Sequence, residues 1–153
     1  MHYWLLKSEP AGYSIDDLAK HKKQTDNWEG VRNFQARNML RDDMHAGDHA
    51  FFYHSSCAEP GIVGMVNIVK AGYPDPTQFD PGSKYYDPKS TDEKPIWYTV
   101  DVKLIKKFKT IISLAAIKQD PQLATMQLVK RGNRLSVMPV STIEWQRILD
   151  MTS

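Results

Sequence analysis

The chain has 153 residues, 41% of them hydrophobic and 25% charged, with a formal net charge of +2. That is enough for one domain with a sizeable core, and the small net charge excludes the strongly basic make-up of a non-specific nucleic-acid binder. No apolar run approaches the ~20 residues of a membrane span, and the single cysteine, Cys57, excludes an internal disulfide framework, so a cytoplasmic protein with no membrane partner is expected.

MHYWLLKSEP reads as a first strand rather than a leader, because no basic region precedes its short apolar stretch. Ser14 with Asp17 three positions on forms a capping-box start for a short helix. A second helix is expected from near Val31 to a stop at Gly47. Its 3.6-residue period places Ala36, Met39 and Leu40 on the core stripe. Arg32 and Asn33 lie on the margins of that stripe and are aimed inward, whereas Phe34 falls nearly opposite, toward water.

HAFFYHSS is an aromatic strand whose alternation puts Phe52 and His54 on one face and Phe51, Tyr53 and Ser55 on the other. CAEPG turns the chain into IVGMVNIVK, a hairpin partner in which Gly64 marks a bulge, a bend or a close approach. Residues 71–95 carry five prolines (Pro74, Pro76, Pro81, Pro88, Pro95), and Phe79, Tyr85 and Tyr86 favour an ordered loop packed on the body.

IWYTVDVKLIKKF is a long strand with Tyr98, Val100, Val102 and Leu104 on its apolar face. Trp97, Thr99, Asp101 and Lys103 share the other face. Two short helices follow, the second starting at Asp120-Pro121 and ending near Gly132. RLSVMPVS is a last strand, and a Ser141–Glu144 capping box opens a terminal helix with an apolar stripe of Trp145, Ile148 and Leu149. Five or six strands without regular βαβ alternation indicate an α+β fold, a small and largely antiparallel sheet that curls into a barrel to remove its edges.

The five histidines and one cysteine lack zinc-site spacing, and neither GxGxxG nor GxxxxGK[ST] occurs, so no metal or nucleotide cofactor is expected. A hydrolase could draw on His54, Ser55 or Ser136, and Asp101, but no serine sits in GxSxG or another sharp elbow. Aromatic residues beside polar ones are more informative. Trp4, Trp28 and Trp97 neighbour Ser8, Arg32, Asn33 and Asp101, groups able to stack on and read a flat heterocycle; Trp4, on an apolar strand, reads as core.

YWLLKSEP at 3–10, WEGVRNFQARN at 28–38, FFYHS at 51–55, PGIVGMV at 60–66, YYDPKS at 85–90 and RGNRLSVMPV at 131–140 together resemble the EVE domain. Glu29 and Phe34 depart from that pattern while keeping charge or aromaticity, and Met138 stands where glutamine is common. The resemblance implies one domain over 1–153 with a PUA-like fold, a curled β-barrel of five or six mostly antiparallel strands flanked by short helices. It also implies a free-standing bacterial protein acting as a monomer, and a non-enzymatic reader of a modified nucleobase, such as methylated or hydroxymethylated cytosine, in DNA or RNA.

Carried onto this chain, the base pocket is drawn from Ser8, Trp28, Val31, Arg32, Asn33, Tyr53, His54, Ser55, Trp97, Asp101 and Ser136. Lys103, Lys106, Arg131 and Arg134 are the expected phosphate contacts, joined by Arg32. The base would lie against Trp28 or Trp97, Asp101 would accept from an exocyclic amine, and Asn33 and Ser8 would donate. Asp101 has a second reading as a structural partner of Arg32 or Arg134. The alternatives in function are an RNA-binding module for modified tRNA or rRNA and a small nuclease or hydrolase.

Overall fold

In a computed structural model that describes residues 1–152, β1 (Tyr3–Ser8) lies between two later strands. β3 (His49–His54) runs parallel to it and β6 (Val137–Val140) antiparallel. β4 (Gly61–Pro74) pairs antiparallel with β3 and with β5 (Tyr98–Ser113), and the short β2 (Thr25–Asn27) lines the outer side of β5. The sheet is mixed, in the order β2-β5-β4-β3-β1-β6.

Closure was expected, yet no ladder joins β2 to β6 among the described residues, so the hydrogen-bonded sheet is open. The reason is visible in the edges themselves. β2 has 3 residues and β6 has 4, and edges this short leave few unpaired backbone groups to manage.

Alternation along the strands sorts the side chains onto two faces. Trp4 and Leu6 join Phe52, Val66 and Val100 in one core, covered by Ile15 and Leu18 of α1 (Ile15–Lys20) and by Ala36 of α2 (Phe34–Asn38). Leu5 joins Phe51, Ile62 and Met138 in the other, beneath Ile117 of α3 (Leu114–Gln119) and Trp145 and Ile148 of α4 (Thr142–Asp150). Each face of the sheet thus carries a buried core. The capping boxes at Ser14/Asp17 and Ser141/Glu144 form as expected.

The second helix begins at Phe34 instead of Val31. Asn33 is extended (φ −115°, ψ 130°) and its Oδ1 accepts from the Ala36 N–H at 3.0 Å, so Asn33 is the N-cap and Val31 precedes the helix. α2 then widens into a π-helical turn, Met39–Asp43, which buries Leu40. The helix expected between Asp120 and Gly132 is two 3₁₀ turns, Pro121–Leu123 and Gln127–Val129.

Gly64 is a close-approach glycine, since a Cβ there would stand 2.3 Å from Ile15 Cδ1 and 2.4 Å from the Lys106 carbonyl oxygen. β4 outruns its expected end at Lys70 by passing through register shifts, which bring Tyr73 opposite Thr99. The proline-rich loop is ordered from within. The buried Gln78 amide donates to the carbonyls of Asp75 and Trp97 and accepts from Ile96 and Trp97 N–H groups, pinning the loop at its neck.

Candidate functional site

Because β1 and β3 are parallel while β6 is antiparallel to β1, the C-terminal ends of β1 and β3 and the start of β6 meet at one end of the sheet. The Ser55 N–H donates to the Ser8 carbonyl at 3.0 Å and the Lys7 N–H to the Ser136 carbonyl at 2.8 Å, which locks the three segments together. A cavity of about 610 Å³ opens there. Its walls also take in Tyr13, the stretch from Asp26 to Arg32, Lys84, Tyr85 and Arg134.

Of the expected base-pocket residues, Ser8, Trp28, Val31, Arg32, Ser55 and Ser136 line this cavity, as does Arg134 from the phosphate set. Trp28 is buried with only 8% exposure, edge-on to Phe52 at 5.1 Å between centroids, and its backbone is pinned by Val100 and by the Thr99 hydroxyl. The Ser8 hydroxyl does not have the donor role expected of it. Its proton goes to the Tyr13 carbonyl at 2.6 Å, leaving the oxygen to accept.

Arg32 is engaged at every N–H. Nη1 donates to Asp75 Oδ2 (3.1 Å) and the Val31 carbonyl, Nη2 to Thr77 Oγ1 and the Tyr85 carbonyl, and Nε to that same carbonyl. A guanidinium has five such donors. Arg32 therefore straps the loop to the helix approach and has none to spare for a phosphate, which corrects that expectation. Tyr85 is pressed by the strap onto Gly30, whose φ of +86° and lack of a side chain make room for the ring; a Cβ would come within 2.4 Å of Tyr85 Cζ.

The other expected residues lie outside the cavity lining, each for a definable reason. Asn33 caps α2 through its Oδ1, which places it at the helix start. Trp97 is buried under the loop, its Nε1–H donating to Asp87 Oδ2 at 2.8 Å, its ring stacked on Phe34 (4.8 Å) and facing the Arg32 guanidinium. Phe34, expected to face water, thus has a partner although 58% of it remains exposed. Tyr53 belongs to the second core, where burial pushes its hydroxyl up to about 12.

His54 accepts the Ile15 N–H at Nε2 (3.1 Å), tethering α1 to β3, and burial lowers its pKa. Asp101 accepts from the Tyr73 hydroxyl at 2.5 Å and pairs with neither Arg32 nor Arg134 among the described residues. With His54 and Asp101 committed to different partners, the Ser-His-Asp arrangement weighed from sequence is not assembled. Lys103 and Lys106 are exposed on β5, and Arg131 on the turn before β6; none of the three lines the cavity.

Sequence reasoning missed Tyr13, Asp26, Asn27, Glu29 and Tyr85. Three of these sit on or just after β2, a strand too short to leave a periodic signal. The acidic side of the cavity is tightly held: Tyr13 donates to Asp26 Oδ2 at 2.6 Å, and burial followed by that bond raises the tyrosine pKa. Burial, with Asp75 and Asp26 nearby, also raises the pKa of Glu29. On the basic side, burial lowers that of Lys7.

Residues 2–151 match the family model of the EVE domain. The chain belongs to the EVE-domain family. Human thymocyte nuclear protein 1 is 43% identical over 166 aligned residues, covering 97% of this chain and 73% of the relative. Among solved structures, a protein from Pseudomonas syringae is 50% identical with a TM-score of 0.93, covering 99% of both chains. The human THYN1 protein, crystallised in complex with DNA containing 5-methylcytosine, is 42% identical with a TM-score of 0.92, covering 100% of this chain and 98% of that one. As an EVE domain, this chain carries its cavity within the matched region and not in an appendage.

Proposed function

We propose that this EVE domain is a non-enzymatic reader of modified cytosine in nucleic acid, taking the base into the cavity at the end of β1, β3 and β6. The observation that carries the reading is an end-to-end likeness to a human protein crystallised with 5-methylcytosine DNA, in a chain with a cavity where its strand ends converge. The cavity volume, about 610 Å³, falls in the range of small-ligand sites, roughly 300–1,000 Å³.

On this reading the curled sheet is the PUA-like wall against which the base rests. Trp28 and Tyr85 supply flat apolar surface, and the hydroxyls of Ser8, Ser55 and Ser136 supply small polar contacts. Arg134, Lys84 and Lys7 supply positive charge for the phosphates flanking an extruded nucleotide, a contribution that salt weakens. Extrusion from a duplex costs a few kcal/mol, which the buried base must offset.

Fluorescence anisotropy of labelled oligonucleotides tests this. Burying one methyl is worth about 0.8 kcal/mol, so a strand with a single 5-methylcytosine should bind about fourfold tighter than its cytosine twin and be recovered intact. Equal affinity for the two strands, or cleavage of either, would overturn the proposal. Matched ribose strands in the same titration decide between DNA and RNA, since a reader of the 2′-hydroxyl must prefer RNA.

A further inference from the structure

Asn27, at the end of β2, lines the cavity, and its Oδ1 is buried with no hydrogen-bond partner among the described residues. A buried amide oxygen left unmade is costly, so it calls for an explanation. Its other end is firmly held. Asn27 Nδ2 donates to the Tyr73 hydroxyl oxygen at 2.7 Å, and that hydroxyl donates to Asp101 Oδ1 at 2.5 Å.

The direction of this chain of bonds follows from the groups themselves. A carboxylate can only accept, so the one proton of the tyrosine hydroxyl goes to Asp101 and its lone pair is left for a donor. Only the NH₂ end of the asparagine amide can meet that demand. The amide is therefore fixed with Nδ2 toward Tyr73 and Oδ1 turned the other way. Burial and Asp101 together hold the Tyr73 hydroxyl protonated up to about 12, so the arrangement persists throughout the physiological range.

We propose that Asn27 Oδ1 is the acceptor that reads the exocyclic amine of the bound pyrimidine, and that Tyr73 and Asp101 are positioning residues that keep the amide from turning over. The proposal rests on the modified-cytosine reading above and names the contact that gives it selectivity. Cytosine and 5-methylcytosine present an N4 amine donor at that edge, whereas thymine presents an O4 acceptor. An oxygen facing an oxygen is repelled, so the site would refuse thymine although thymine carries the same 5-methyl group. Asp101, expected from sequence to accept from N4 directly, acts one step behind Tyr73.

The test measures affinities for four otherwise identical strands with cytosine, 5-methylcytosine, thymine or uracil at one position, using the wild-type chain, Asn27→Ala and Tyr73→Phe, with thermal melts as a folding check. The wild type should prefer 5-methylcytosine to thymine by about tenfold or more, and each variant should compress that ratio to within about threefold. Tyr73→Phe keeps the ring and frees the amide to turn. A merely structural role for Tyr73 would weaken both strands alike and leave the ratio unchanged, which would overturn the positioning role. Retention of the wild-type ratio by folded Asn27→Ala would overturn the proposal while the preference for 5-methylcytosine over cytosine still upheld the parent reading. A wild type that binds all four strands alike would overturn both.

Discussion

Arg32 and Asp75 meet at 3.1 Å, Nη1 to Oδ2, beneath the loop that forms one wall of the cavity. Asp75 is fully buried and also accepts from the Gly30 N–H and from the N–H and hydroxyl of Thr77. Burial by itself would raise the carboxyl pKa, but these donors and the guanidinium hold it below the usual range. The pair binds residues 75–85 to the segment before α2, joining two parts of the cavity wall.

Removing one partner of a buried pair leaves the other uncompensated, at about 3–5 kcal/mol. Since the Arg32 side chain is 21% exposed, Asp75→Ala should fall at the lower end, about 3 kcal/mol. For a chain of this size that is a melting-temperature drop of roughly 6–12 °C. Differential scanning calorimetry at neutral pH reads it directly; a drop under about 2 °C would show that the strap is dispensable.

Gly30→Ala faces both a left-handed backbone and the Tyr85 ring. The backbone alone costs roughly 1–2 kcal/mol, and the ring contact adds to it. The cost should be smaller in a Tyr85→Ala background, where the steric component is gone. A double-mutant cycle in urea measures the coupling, and zero coupling would mean that Tyr85 does not rest on Gly30 in solution.

Asn33 is assigned to the helix cap and not to the ligand. Asn33→Ala should therefore cost about 1 kcal/mol of stability, with Asn33→Ser recovering most of it. Nucleic-acid affinity should be untouched in both. A variant that kept full stability but lost binding would return Asn33 to the pocket.

His54 gives a pH dependence with a defined sign. Its pKa in the folded chain is lowered, first by burial and then by Lys107, against an opposing pull from Asp16. The fold prefers the neutral ring, which accepts from the Ile15 N–H. Its contribution is therefore complete above the unfolded value of about 6.5 and is lost as pH falls below that through the folded pKa. Thermal melts between pH 7.5 and 5 should show this decline, and His54→Gln, which keeps an acceptor without a titrating proton, should flatten it. An unchanged slope in His54→Gln would place the acid sensitivity elsewhere.

Local chemistry carried well from sequence to structure at the helix caps of Ser14 and Ser141, the alternation of β3 and β5, and the burial of Ala36 in α2 and of Leu40 in the turn after it. Each depends on residues within a turn or two of one another. What did not carry were pairings between distant segments. Arg32 and Asn33 read as two inward polar groups of one helix, yet one straps a loop more than 40 positions away and the other caps the helix start. Asp101 read as a candidate base contact because its partner Tyr73 lay in a stretch taken for loop. Asn27 was invisible for the same reason that β2 was: three residues make no period, and only the ladder to β5 gives them a place.

A crystal structure of the chain with an oligonucleotide bearing a single 5-methylcytosine tests most directly whether a modified base sits in the cavity between Trp28, Tyr85 and Ser136. The base is expected outside its stack and inside the cavity, with its N4 amine against Asn27. A methylated base left in its stack, with the DNA lying along the lysines of β5 instead, would contradict it.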